Sequence, residues 1–377
     1  MLFQRTSHSR TRHRTAGRRL TGAAGAAVLV TAGLVVAAGP AVASPATSPV
    51  AKPKDPALAG LFGSTDPTYD GVYRQSLSLI SLKAAGAEIP KSAVNWLKRQ
   101  RCNNASYTSF RPDVSTKCGA KDSNATALAA IAFKRLGETK LASESVDWLL
   151  DHQDPSGGWE YTAGWGPDSN STGLVVQALI VMKIDPASVT TGGNSPIDYI
   201  TSLQLDCDDD PASDRGALDY QAQDPLLPND FATAQATAAL AGRSLPVKPG
   251  PVADGRPKFT CDATPQPTPA AAAAGYLGRT ISTNDGHIPY FDDSIDYGST
   301  ANAVLSMVAA GYAPKSIKSA TKTLKNGADD YTHDDSDAVL VASSAALAQV
   351  AIATGGDPRS FGGVNPVRQI LKSQTTG

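Results

Sequence analysis

The chain has 377 residues, of which 41% are hydrophobic and 18% are charged, so it carries enough apolar material for a large core. Its formal net charge of −1 provides no field that would attract nucleic acid or an anionic membrane surface. The composition therefore indicates a globular protein, and we expect no nucleic-acid partner.

The first 43 residues have the pattern of a secretory signal peptide. Arginines are frequent up to Arg19, an apolar run covers residues 23–38, and Ala41-Val42-Ala43 is a small-x-small cleavage site. A membrane anchor is the weaker interpretation, because the apolar run is short and rich in Ala and Gly. Residues 44–69 are predicted to be a Pro- and Ala-rich leader. We therefore expect a secreted protein with no membrane span in the mature chain.

Residues 70–377 show apolar positions at helical spacing and no convincing pair of strands. The predicted helices form six consecutive hairpins: 72–87 with 92–100, 122–137 with 140–153, 168–182 with 195–205, a helix starting after 229 with 269–281, 300–310 with 314–325, and 337–354 with 365–373. The sequence thus predicts one all-α domain.

The two helices of each hairpin differ in composition. The first members, such as TALAAIAF and TGLVVQALIVM, are small and nearly free of charge, which is typical of helices buried on all sides. The second members, such as SIKSATKTLKN, carry charges on one side and are predicted to face water. We expect an inner ring of helices starting near Val72, Ser123, Ser169, Asp230, Tyr297 and Asp337, with their partners outside.

A short motif precedes four of these inner helices: an acid or amide followed, after three residues, by threonine. The pairs are Asp122 and Thr126, Asp168 and Thr172, Asn229 and Thr233, and Asp296 and Thr300. Asp70 and Asp337 keep the acid, but Arg74 and Val341 occupy the threonine position. A motif repeated at this spacing indicates a repeat architecture.

The turn Gly157-Gly158-Trp159, followed by Asp168-x-x-x-Thr172 and an Ala-rich helix, resembles the α/α-toroid superfamily. This group includes squalene and terpene cyclases, protein prenyltransferase β-subunits, and the barrel of cobalamin carriers such as transcobalamin and intrinsic factor. The resemblance covers most of residues 70–377 and implies an (α/α)6 toroid of six helical hairpins in two concentric rings. It does not fix the activity, because one fold carries many functions.

Class II terpene cyclases of this superfamily protonate an alkene with the middle acid of an Asp-x-Asp-Asp motif. In register, Asp168 is kept here, but Asn170 and Ser171 replace the two later acids. Neither side chain can donate a proton to carbon. The cluster from Asp334 to Asp337, at a predicted inner-helix start, is the best alternative position for an acid.

The prenyltransferases of the superfamily use zinc held by Asp, Cys and His. No Asp-x-Cys element is present here, and His152, His287 and His333 are isolated in the sequence. We therefore expect no cofactor. A loop that spells the cyclase motif literally, Asp206-Cys207-Asp208-Asp209, continues into Asp210. We expect it to be a hydrated acidic loop, with a loosely held Ca²⁺ as the alternative.

The cobalamin-carrier barrel is the closest member in chemistry, because it binds a large polar ligand without any catalytic acid. The candidate ligand contacts are Trp165, Asp168, Asn170, Gln177, Asp122, Asn124, Asp296 and Tyr297. Acids and amides at helix starts are also ordinary caps, whereas Trp165 has no capping role. Carriers of this type add a domain that closes over the ligand, so a separate closing domain or protein is an expected partner.

Four cysteines in an exported chain indicate two disulfides. Of three possible connectivities we favour Cys102–Cys118 and Cys207–Cys261, because each would pin an irregular segment. The overall prediction is an exported, non-catalytic toroid that binds a ligand or partner, with a corrinoid as the first ligand to try. The alternatives are a terpene cyclase or prenyltransferase-like enzyme with an atypical acid, and a structural cell-surface protein.

Overall fold

The computed structural model describes residues 55–209 and 211–376. The predicted signal peptide and the first part of the leader lie outside these residues. The helices of the described chain are α1 (Gly71–Ala84), α2 (Lys91–Arg99), α3 (Ser123–Leu136), α4 (Thr139–Leu150), α5 (Ser169–Met182), α6 (Pro196–Ser202), α7 (Asp230–Leu240), α8 (Pro269–Thr283), α9 (Tyr297–Ala310), α10 (Pro314–Asn326), α11 (Ala328–Thr332), α12 (Val341–Ala353) and α13 (Pro366–Lys372).

The helices form two concentric rings, which confirms the predicted all-α toroid. In the inner ring α1, α3, α5, α7, α9 and α12 pack successively against one another, and α12 packs back against α1. The outer ring contains α2, α4, α6, α8, α10 and α13, each against its preceding inner helix. The short helix α11 lies between α10 and α12 and was not predicted.

Small residues allow the inner helices to approach closely. A Cβ added to Gly173 of α5 would lie only 3.0 Å from Cα of Ala236 in α7. Every residue of α5 except Ile180 and Met182 is buried, whereas α10 buries only Ser316, Ala320 and Leu324. The composition difference therefore separates α5 from α10 correctly, whereas the outer helix α8 is Ala-rich and buries ten of its fifteen residues.

Two details of the prediction were wrong. The last inner helix begins at Val341 rather than Asp337, because the Asp334 carboxylate accepts backbone N–H groups of Ser336 (2.9 Å) and Ala338 (3.0 Å) and closes a turn. Asp337 has a left-handed backbone, with φ of 64°, that cannot continue a helix. There are also two short antiparallel pairs, β1 (Trp159–Glu160) with β2 (Pro167–Asp168), and β3 (Ile288–Pro289) with β4 (Ile295–Asp296).

The ring closes where the two ends of the described chain pair with each other; we call this region, residues 60–75 and 373–375, the seam. The N–H of Gly60 donates to Thr375 O (3.1 Å) and that of Gly63 to Ser373 O (3.0 Å). Leu61 and Phe62 are fully buried in the core. Ordered packing thus begins before residue 70, inside the segment predicted as leader.

Within residues 55–209 and 211–376, no helix combines the length and the apolarity needed to cross a bilayer.

Candidate ligand-binding site

The site is built on the end of the toroid where the inner helices begin, which we call the mouth. Threonines of the repeated motif fix the loops there. The hydroxyl of Thr172 accepts the N–H of Trp159 (2.9 Å), and that of Thr300 accepts the N–H of Ile288 (2.9 Å). Each threonine therefore ties the turn after one outer helix to the first turn of the next inner helix.

Three of the predicted acids cap inner helices. Asp122 accepts the N–H of Ala125 (2.8 Å), Asp168 that of Ser171 (2.7 Å), and Asp296 that of Ser299 (2.8 Å). These bonds satisfy backbone donors that the first turn of a helix leaves open. The geometry assigns these carboxylates a structural role at the mouth.

Burial shifts the acid–base behaviour of these caps. Burial raises the pKa of Asp122 to about 6, against the opposing effect of hydrogen bonds from the Ala125 backbone and the Ser109 hydroxyl. It also raises the pKa of Asp168, and that of Asp230, whose carboxylate accepts the hydroxyl of Tyr276 (2.7 Å). Burial therefore favours the protonated, neutral form of these carboxyl groups, because a buried charge is disfavoured.

Trp165 lies at the tip of the β1–β2 loop with 51% of its surface exposed. The Glu160 carboxylate accepts the N–H groups of Gly164 (2.8 Å), Trp165 (3.1 Å) and Gly166 (3.1 Å). The amide of Gln221 donates to Trp165 O (2.9 Å). The exposed indole is therefore carried by a loop whose backbone is fixed by hydrogen bonds with the side chains of Glu160 and Gln221.

Other apolar side chains share this exposed position. Of the six large hydrophobic side chains exposed in the described residues, five precede or begin inner helices: Tyr69, Trp165, Leu227, Phe231 and Phe291. We call these five the rim. They lie before or in the first turns of α1, α5, α7 and α9.

Below the mouth, four amide side chains surround the axis of the ring: Gln177, Gln235, Asn302 and Gln349, here called the axial amides. They line a cavity of about 50 Å³ together with Tyr73, Leu77, Leu174, Leu305 and Ser306, among others. The predicted residue Asn170 donates to Oε1 of Gln235 (2.8 Å) and so extends this polar set toward the mouth.

Leu245 lines the same cavity from beyond the C-terminal end of α7. It packs against both large hydrophobic clusters of the domain. Its N–H donates to Oε1 of Gln177 (3.2 Å), and its carbonyl accepts Nε of Arg135 (3.0 Å). The segment around Leu245 therefore closes the axial cavity at the end opposite the mouth.

This axis does not suit a polyprenyl substrate. Pockets for drug-sized ligands span about 300–1,000 Å³, whereas the cavity here holds about 50 Å³, with the four amides set in an otherwise largely apolar lining. At the position of the lost cyclase acids, Asn170 bonds Gln235, and the hydroxyl of Ser171 donates to Asp168 (2.7 Å). The exposed acids Asp335 and Asp337 lie in the turn before α12.

The remaining candidates divide into packed and open positions. Tyr297 stacks on Tyr331 with centroids 5.4 Å apart, which makes it part of the packing between α9 and α11. Asn124 is half-buried, and its Oδ1 has no hydrogen-bond partner among the described residues.

In the acidic loop, the carboxylate of Asp209 accepts the N–H of Asp206, and the carboxylate of Asp206 accepts the N–H of Asp208. Asp210 lies outside the described residues. In the part of the chain that the structure describes, no three His, Cys, Asp or Glu side chains converge as metal ligands would.

The cysteine predictions have two outcomes. Cys102 and Cys118 form the predicted disulfide, with Cα atoms 6.0 Å apart. Cys207 and Cys261 instead carry free thiols, which contradicts the second predicted bond. Sγ of Cys261 lies 3.8 Å from the carbonyl oxygen of Cys207. A side-chain hydrogen bond with Cys261, followed by burial, raises the pKa of the Cys207 thiol to about 11.

Sequence reasoning identified Trp165 and Gln177 but missed the other axial amides and most of the rim. Gln235 and Asn302 are each the sixth residue of their helix, and Gln177 and Gln349 are each the ninth. Aligning the inner helices on their first residues would have placed these amides in two layers. The shared position of these amides within their helices was therefore the signal in the sequence that could have identified them.

No protein-family model matches this chain, and no curated protein matches it either. Solved structures do show similarity. A protein from Actinoplanes has a TM-score of 0.50 at 15% identity over 79% of each chain. A GH76 α-mannanase from Bacteroides thetaiotaomicron has a TM-score of 0.49 at 10% identity, over 75% of this chain and 86% of that one. The ent-copalyl diphosphate synthase from Streptomyces platensis has 0.46 at 18% identity, over 76% of this chain and 50% of that one. The similarity to the Actinoplanes protein concerns the fold and nothing finer.

Proposed function

We propose that this chain is an exported, non-catalytic binding protein that takes a small-molecule ligand at the mouth of the toroid. The observation that carries the proposal is the exposed, firmly held indole of Trp165 at the mouth of a ring whose axial cavity holds only about 50 Å³. A cyclase would need a deep apolar chamber, whereas a binding site needs an accessible surface with a few oriented polar groups. The Cys102–Cys118 disulfide supports an oxidising compartment.

Trp165 also provides the test. Trp96, Trp148 and Trp159 are buried, so Trp165 should carry most of the fluorescence that acrylamide can quench. A ligand that occupies the mouth should shield the indole and lower the quenching constant. Trp165→Phe keeps an aromatic ring but removes the quenchable indole fluorescence. A ligand-dependent change that persists in this variant would come from ligand bound elsewhere.

Cyanocobalamin, cobinamide and neutral oligosaccharides form the first ligand panel, with binding confirmed by calorimetry. Geranylgeranyl diphosphate and squalene are incubated separately and analysed for cyclised products. Shielding by any member of the panel supports the proposal. Turnover of a polyprenyl substrate, or a panel that leaves Trp165 fully quenchable, would overturn it.

A further inference from the structure

We propose that the outer face of the ring carries a second binding site, for a flexible linear polyanion, which is independent of the mouth. The site consists of exposed cations on three outer helices, α10, α13 and α2, and we call it the basic arc. Its eight members are Lys315, Lys318, Lys322, Lys325, Arg368, Lys372, Lys91 and Arg99. None of the three helices contains an aspartate or a glutamate. The basic arc is therefore a surface with one sign of charge.

The three helices are neighbours in the outer ring. Nζ of Lys325, near the end of α10, lies 5.5 Å from the ring centroid of Phe361 in the loop before α13. Beyond the other end of α13, the amide of Gln374 donates to the hydroxyl of Ser92 in α2 (3.0 Å). The lysines of α10 recur every three or four residues, which places them on one face of the helix over about 15 Å. The cations of the arc therefore lie on adjacent helices.

The charge of the arc is not neutralised by the fold. Within residues 55–209 and 211–376, none of its eight cations forms an ion pair, whereas Lys98 of α2 is paired with Glu138 (2.6 Å). The first 43 residues hold six arginines and no acid, so the rest of the chain is net acidic although the whole sequence has a net charge of −1. A polyanion is therefore attracted to the arc and disfavoured by the remaining surface.

Helix stability alone does not account for this arrangement. Lys318 lies three residues after Lys315 and four before Lys322, and like charges at these spacings on a helix repel each other. Lys315, Lys91 and Arg368 also lie in the first turns of their helices, where the helix dipole disfavours cations. A bound polyanion removes both penalties, because its negative charges screen the lysines from one another and suit the positive ends of the helices.

The shape and composition of the arc favour a flexible chain as its partner. Three helices side by side on the outside of a ring form a convex surface, which meets a flat bilayer along a line but can be followed by a flexible polymer. None of the large exposed hydrophobic side chains of the described residues lies on α10, α13 or α2. The arc therefore lacks both the apolar groups that enter a lipid surface and the aromatic rings on which nucleic-acid bases stack. Its partner is accordingly a chain of phosphate or carboxylate groups that is bound through charge alone.

Fluorescein-labelled polyphosphate and poly-L-glutamate test the proposal by fluorescence anisotropy at low and raised salt. Wild type should bind at least one of them, with an affinity that falls steeply as salt increases, because binding releases counterions. Lys318→Glu/Lys322→Glu should weaken this affinity roughly tenfold or more and make its salt dependence shallower. The melting temperature should not fall, because two of the three repulsive lysine pairs on α10 become attractive.

Lys140→Glu/Lys183→Glu is the matched control, because it makes the same change of charge at exposed lysines of α4 and the end of α5. Its affinity for the polymers should be nearly that of wild type. Failure of both polymers to bind wild type at low salt, or an equal loss in the two double variants, would overturn the site. Stronger binding of poly-dT, or of vesicles containing phosphatidylglycerol, than of both polymers would overturn the assigned class of partner. The mouth is tested separately by the quenching of Trp165.

Discussion

The four internal repeats and the seam both fix the segment that precedes an inner helix, but they use different residues to do so. Inside the ring, Thr126, Thr172, Thr233 and Thr300 accept the N–H of the preceding turn. At the seam, Gln75 accepts the N–H of Phe62 (2.8 Å) and donates to the carbonyls of Gly60 (3.1 Å) and Ala93 (2.9 Å). Arg74 occupies the threonine position there, where its Nε donates to Phe62 O (3.1 Å).

The seam also joins two distant parts of the sequence. Arg74 and Gln75 bind residues 60–65 of their own segment, over sequence separations like that between Thr172 and Trp159. Residues 60–63 then pair through backbone hydrogen bonds with residues 373–375. Arg74 also forms an ion pair with Asp70 at 2.8 Å.

The largest expected effect comes from breaking the seam. Arg74 is buried, and its guanidinium also donates to the carbonyl of Thr65 (2.7 Å). Arg74→Ala should lower the free energy of unfolding by roughly 3–5 kcal/mol, the range for breaking a buried ion pair. Urea denaturation measures the loss. Arg368→Ala, an exposed arginine on α13, should change stability little, and an equal loss in both variants would contradict the special role of the seam.

The cap of the first internal repeat should make stability depend on pH. Asp122 has a pKa of about 6 in the folded protein, against 3.8 for an ordinary solvated aspartate. A raised pKa means that its contribution is present below about pH 4 and is lost as pH rises through 6. Each pKa unit corresponds to about 1.4 kcal/mol, so the loss reaches about 3 kcal/mol at neutral pH.

Asp122→Asn keeps a capping side chain and removes the charge. The variant should therefore gain stability relative to wild type between pH 4 and pH 7 in urea denaturation. Asp198→Asn provides a control of opposite sign, because hydrogen bonds from Ser195 lower the pKa of Asp198. If the difference between Asp122→Asn and wild type does not change with pH, the assigned burial effect is refuted.

A third, smaller effect tests the internal tie itself. Thr172→Val preserves shape but leaves the buried N–H of Trp159 without an acceptor, which should cost about 1–3 kcal/mol. Thr321→Val is a matched control, because the hydroxyl of Thr321 is buried without a hydrogen-bond partner in the described chain. Thermal denaturation should show a loss for the first substitution and none for the second.

The smallest stability effects separate cap from contact at the mouth. Asp168→Ala should cost roughly 0.5–2 kcal/mol, as expected for loss of an N-cap. Trp165→Ala should leave the melting temperature nearly unchanged, because the indole is half exposed, and should weaken binding. Comparing melting curves with calorimetric affinities for both variants distinguishes these roles. A large drop in melting temperature for Trp165→Ala would show that the indole is structural.

The sequence was sufficient to predict the two layers of helices, but not the residues that line the axial cavity. The contrast between charge-free and charged helices predicted both layers, and the motif from Asp168 to Thr172 predicted the caps. The start of α12 was misplaced because Asp337 resembles a cap, although Asp334 builds a separate turn. Gln349 was missed with it, because a helix start at Asp337 instead of Val341 removes the register that Gln349 shares with Gln177.

The seam also determines how the molecule responds to mechanical force. Its two strands run antiparallel, with Phe62 opposite Gln374, so the outermost bond, Gly60 to Thr375, lies nearest to both ends of the described chain. A pull applied between those ends loads that bond first and the others in turn, as when a zipper is opened. Traction would therefore detach residues 373–375 from residues 60–63 at a lower force than a load that shears all the bonds together.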